Sequence, residues 1–71
     1  MLVQKMDPVI IGQRLKALRG DKTQREVAQK LNLTSMAISQ YEQGERIPTD
    51  NIKLALARYY NKSVEELFFS S

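Results

Sequence analysis

The sequence contains no cysteine, no histidine and no tryptophan. Without cysteine there is no disulfide and no thiolate metal site. Without histidine the commonest general base and the commonest metal ligand are both missing. There is no glycine-rich phosphate loop, and the Asp and Glu residues are scattered at helix starts. An enzyme therefore finds no support in this chain, and no cofactor, metal or small-molecule ligand is implied. No apolar run is long enough to span a bilayer. The N-terminus MLVQKMDPVII carries a charge and a proline inside any would-be signal core, which excludes a signal peptide. Glycine (3) and proline (2) are sparse enough to serve as punctuation.

What is present is a chain of 71 residues, enough for one domain with a modest core. Lys and Arg number 11 against 8 Asp and Glu, for a net charge of +3. The pI near 9.5 favours an anionic partner, nucleic acid ahead of membrane.

The pattern is helical throughout. Asp7-Pro8 makes a helix start, with Ile11, Leu15 and Leu18 at helical spacing and Gly20-Asp21 as the stop. Thr23 and Glu26 form a capping-box pattern. Val27, Ala28 and Leu31 face inward, and Asn32 ends this second helix because Asn tolerates the left-handed conformation. Leu33 follows as a buried turn residue. Thr34 caps a third helix, with Ala37, Ile38 and Tyr41 on one face and Ser35, Met36, Ser39, Gln40 and Gln43 on the other. Gly44 terminates it, and Ile47-Pro48 is extended. Thr49 caps a fourth helix with Ile52, Ala55, Leu56, Tyr59 and Tyr60 on its apolar side. Asn61 stops it. Ser63 and Glu66 form a second capping box, which opens a last short helix with Val64, Leu67 and Phe68 inward. The expected fold is all-α, a compact five-helix bundle. Residues 1–6 form a loose arm, 7–69 the domain, and 70–71 a tail.

The second and third helices are joined by only Asn32-Leu33-Thr34. Helices joined this tightly cross steeply, which is the helix-turn-helix arrangement, whose second helix enters the major groove. The third helix carries no Lys or Arg. That fits a groove position, where amides, hydroxyls and small apolar groups match base edges while cations belong on the phosphate rims. Lys22 and Arg25 precede or open the second helix, and Arg46 follows the third. The N-terminus of the second helix also suits a phosphate.

The segments IIGQRLKALR, TQREVAQKLNLTSMAISQYEQGERIP and YYNKSVEELF resemble the Cro and phage-repressor family of helix-turn-helix proteins, also called the Xre family. The resemblance covers residues 10 to 68. It rests on I-G-x-R-L-K-x-L-R, T-Q-x-E-x-A, x-x-x-I-S-x-Y-E-x-G and S-x-x-E-L in order at family spacing. It implies a lambda-repressor-like five-helix domain that binds double-stranded operator DNA as a homodimer, with the third helix (about 35–43) in the major groove. It further implies a repressor of prokaryotic or phage origin, acting in the cytoplasm at the nucleoid. A protein-interaction module or an antitoxin of the same fold is the alternative.

By the same resemblance Ser35, Met36, Ser39 and Gln40 fall at base-reading positions, and Gln24 at a phosphate contact. Arg19 and Glu42 fall where many members have a partly buried ion pair. The candidate phosphate contacts are Lys22, Thr23, Gln24, Thr34, Gln43 and Arg46, with Arg14, Arg25 and Lys53 behind them. Adenine is the natural partner of Gln40, through N6 and N7. Met36 has two readings, helix packing or a thymine methyl. Ser35 and Ser39 either bond a base or simply let the helix approach closely. Gly12 marks a close approach by a neighbouring segment. Phe68 and Phe69 are adjacent on a short helix that cannot easily turn both inward, which makes them a candidate dimer surface, Phe69 above all; a disordered end is the other reading.

The chain departs from the family pattern in four places. The Gly20-Asp21-Lys22 connection is about two residues short, Glu45 replaces a basic residue, Lys62 replaces an apolar one, and Met36 is an unusual base reader. On this reading Gln40→Ala relaxes sequence preference, and Arg46→Ala weakens binding to every sequence alike.

Overall fold

Three of the first four helices begin where a side chain satisfies backbone N–H groups that a helix start leaves unpaired. The structure, a computed structural model, describes residues 7–69. The 1–6 arm and the 70–71 tail of the sequence reading lie outside the described residues. Helix α1 spans Pro8–Arg19, with Asp7 accepting from the Val9 and Ile10 N–H groups. Helix α2 spans Gln24–Leu31 behind a complete capping box: Thr23 Oγ1 accepts from Glu26 N, and Glu26 Oε1 accepts from Thr23 N. Asn32, at φ 58°, ends it in the left-handed region. Helix α3 spans Ser35–Glu42, capped by Thr34 Oγ1 accepting from Ala37 N at 3.0 Å.

Helix α4 spans Asp50–Tyr59. Thr49 occupies its cap position, but its side chain makes no capping hydrogen bond, which corrects the cap expected there. Asn61 is left-handed, at φ 58°. Ser63 and Glu66 exchange the two bonds of the second capping box, at 2.9 and 3.0 Å. The closing helix that follows, Glu65–Phe69, is wound as a π-helix. Among the described residues there is no strand, and no helix long and apolar enough to cross a membrane.

The core joins all five elements: Ile11 and Leu15, Val27 and Ala28, Ala37, Ile38 and Tyr41, Leu56 and Ala57, Leu67 and Phe68. Leu33, expected buried, is half-buried and packs against this cluster. At Gly12 the backbone of α1 lies directly against that of α3. A Cβ there would overlap the Glu42 carbonyl oxygen and lie 2.8 Å from that of Tyr41.

Of the two readings of Phe68, the inward one holds and the dimer-surface one does not. Phe68 is 1% exposed and belongs to the core, so it offers no surface to a second copy. Phe69 is half-buried and packs against the same core, with Lys53 Nζ 5.5 Å from its ring centroid. Arg14 ties this helix to α1 by donating to the Glu66 and Leu67 carbonyls at 3.3 and 3.2 Å.

Candidate nucleic-acid interface

The tight α2–turn–α3 unit is held from beneath by one carboxylate. Glu42, its side chain 3% exposed, accepts from Arg19 Nε at 2.7 Å and Arg19 Nη2 at 3.1 Å. Gln24 Nε2 donates to the same carboxylate at 3.0 Å. Arg19 Nη1 reaches on to the Lys22 carbonyl at 2.6 Å. One buried carboxylate thus joins the end of α1, the start of α2 and the end of α3. The hydrogen bond to Glu42 raises the Arg19 pKa above its ordinary value. Burial, reinforced by the nearby Glu42 charge, pushes the Tyr60 phenol up to about 12.

This network changes the reading of Gln24. Its side-chain amide turns inward to Glu42. What remains for a phosphate at that position is the backbone N–H of the first turn, which a helix leaves without an intrahelical partner. Thr23 and Thr34 use their oxygens as caps. A hydroxyl that accepts at one lone pair still has its proton to donate, so capping and phosphate contact are compatible.

The outward face of α3 carries Ser35, Met36, Ser39, Gln40 and Gln43. Met36 is 69% exposed, which removes the packing reading left open for it. Ser35 and Gln43 are exposed, and Ser39 and Gln40 partly so. Gln43 Nε2 donates to Ser39 Oγ at 3.1 Å, one turn apart on that face. Arg46 lies beside it. Its Nη1 donates to Gln40 Oε1 at 3.4 Å, and its guanidinium stands 5.7 Å from the Tyr41 ring centroid. The i, i+6 spacing of Gln40 and Arg46 matches no helical period, so nothing in the sequence signalled this pair.

Other basic candidates fall elsewhere. Lys22 is exposed, but its Nζ donates to Tyr59 Oη at 3.2 Å and lies 4.9 Å from that ring, which draws it toward α4. Lys53 is 7% exposed, held by Asp50 Oδ1 at 3.5 Å and by the face of Phe69. A buried ammonium has no reach to a phosphate, which corrects its place among the candidates. Arg14 is engaged with the closing helix, while Arg25 and Glu45 are exposed. Two shallow clefts of about 340 and 380 Å³ are lined by residues outside α3, so neither belongs to its outward face.

The helix-turn-helix family model HTH_3 matches residues 15–67. Among solved structures, the chain is similar to the restriction-modification controller protein C.AhdI from Aeromonas hydrophila. The two are 33% identical with a TM-score of 0.77, over 87% of this chain and 97% of that one. The S. venezulae BldD DNA-binding domain is 26% identical with a TM-score of 0.72, over 87% of this chain and 96% of that one. The SOS-response repressor LexA from Eubacterium rectale shares the fold at 24% identity and a TM-score of 0.83, over 99% of this chain and 77% of that one. No curated protein matches. With its capped α2, left-handed turn and uncharged outward α3, this chain belongs to the helix-turn-helix family of Cro and phage-repressor (Xre) type.

Proposed function

We propose that this protein is a sequence-specific DNA-binding transcriptional regulator, a repressor, that binds a dyad-symmetric operator as a homodimer. One observation carries the reading. The outward face of α3 presents hydroxyls, amides and an exposed methionine with no acidic or basic side chain among them, and Arg46 stands at its edge. Such a face matches base edges in the major groove, and the flanking cation matches the phosphates or a base beside it. The similarity to a restriction-modification controller and to a DNA-binding domain supports it.

In this reading Ser35, Met36, Ser39 and Gln40 contact bases. Lys22, Thr23, Thr34, Gln43 and the backbone N–H groups at the start of α2 contact phosphates, and Arg46 flanks the base-reading face. Phe69 is the aromatic left for a dimer contact, since Phe68 is core. The protein acts where its DNA is, at the nucleoid of a prokaryotic cell.

The test is a selection from random duplex DNA, followed by titration of the winning sequence at two salt concentrations. Enrichment of a palindrome with half-sites about 34 Å apart supports the reading. So does affinity that falls with salt by a log–log slope of about −0.9 per phosphate contacted. Equal, weak binding to every duplex overturns it.

A further inference from the structure

The sequence makes Gln40 an adenine reader and Arg46 a phosphate contact. The geometry around them opposes both assignments. A glutamine reads adenine with both ends of its amide: Nε2 donates to N7, and Oε1 accepts from the N6 amino group. Here Oε1 of Gln40 already accepts from Arg46 Nη1 at 3.4 Å. The direction of that amide is set by chemistry, because a guanidinium has only donors and the oxygen must face it. An adenine amino group brought to the same oxygen would have to sit against a cation. Arg46 is also held from a second side, by the face of the buried Tyr41 ring at 5.7 Å. It is therefore placed against α3 and not simply trailing from the loop after it.

What the pair presents outward is a row of donors: the Gln40 amide N–H groups and the remaining guanidinium N–H groups. A row of donors matches the one base with two adjacent major-groove acceptors, guanine, through O6 and N7. We propose that Gln40 and Arg46 act as one unit that reads a guanine, and that Arg46 is thereby a specificity-determining residue. This rests on the DNA-binding reading above and goes further, naming the base and the residue that selects it.

The experiment repeats the random-duplex selection with the full chain, with Gln40→Ala and with Arg46→Ala. The operator position whose preference weakens in Gln40→Ala is the one Gln40 reads. The expected results are guanine at that position for the parent protein, and a drop of roughly tenfold or more in its guanine-over-adenine preference in Arg46→Ala. All other positions keep their preference. Adenine at that position in the parent overturns the pair as a guanine reader. So does an Arg46→Ala variant that loses affinity by one factor for every sequence while keeping its base preference. That second outcome makes Arg46 a phosphate contact and leaves the DNA-binding reading standing. Failure of the parent to enrich any sequence overturns both, so the two failures are told apart.

Discussion

Arg19 and Glu42, 23 positions apart, meet in a bidentate pair with Nε–Oε2 at 2.7 Å and Nη2–Oε1 at 3.1 Å. The carboxylate is nearly sealed from water, 3% exposed, and the guanidinium is 16% exposed. Truncating the outer partner therefore hurts more than truncating the buried one, because it leaves a sealed carboxylate without its counter-charge. Arg19→Ala strands that carboxylate with only the neutral Gln24 amide beside it, and it lowers stability by ~3 kcal/mol. Glu42→Ala leaves a guanidinium that is partly in water and keeps its bond to the Lys22 carbonyl, and its cost is smaller. Urea denaturation of both variants checks the order. Equal losses below about 1 kcal/mol would mark the pair as a surface one.

Gly12→Ala tests the α1–α3 contact. An exposed helical Gly→Ala change stabilises by ~1 kcal/mol through propensity. Here the added methyl meets two backbone carbonyls, which cannot rotate away as a side chain could. Overpacking against backbone reverses the sign, and we expect a net loss of ~1–3 kcal/mol. A thermal melt reads it directly, at roughly 4–8 °C per kcal/mol for a domain of this size.

Asn32 holds the turn between α2 and α3 at φ 58°, ψ 41°. Asn32→Val places a β-branched residue in the left-handed region, at a cost of ~1–2 kcal/mol. Asn32→Gly is tolerated, because glycine has no Cβ to clash there. Loss of stability in both variants would assign the role to the side chain and not to the backbone.

Tyr60 makes stability fall in strong alkali. Its folded pKa of about 12 stands above the ordinary 10.0, because burial disfavours the phenolate. The folded chain therefore keeps a proton that the unfolded chain has lost. The contribution is complete below pH 10 and is lost as pH rises toward 12. Tyr60→Phe has no proton to lose. Comparing the two proteins by urea unfolding across that window should show the steeper decline in the parent.

Met36→Ala separates binding from folding. The side chain is 69% exposed, so stability should change by less than about 0.5 kcal/mol. If α3 enters a groove, operator affinity drops while the melting curve stays in place. Unchanged affinity would take Met36 off the contact face.

The order of helices was legible in the sequence because caps and stops are local. Asp7, Thr23 and Thr34 act on N–H groups two or three residues away, and Ser63 and Glu66 pair with each other three residues apart. Asn32 and Asn61 need only a tolerance for positive φ. The uncharged outward face of α3 was legible for the same reason, since one helix's periodicity separates it from the Ala37–Ile38–Tyr41 face. Tertiary structure alone decided what depends on distant atoms. Phe69, the residue expected to face outward, was half-buried against the core. Lys53 was buried beneath Phe69, Gln24 was drawn from solvent to Glu42, and Lys22 was drawn to Tyr59. Arg46 was set against Gln40 by a loop and the ring of Tyr41, an approach with no sequence period to betray it. Residue type and spacing determine which groups an element offers. Which partner each long polar side chain reaches is settled only when packing brings the elements together and removes water from between them.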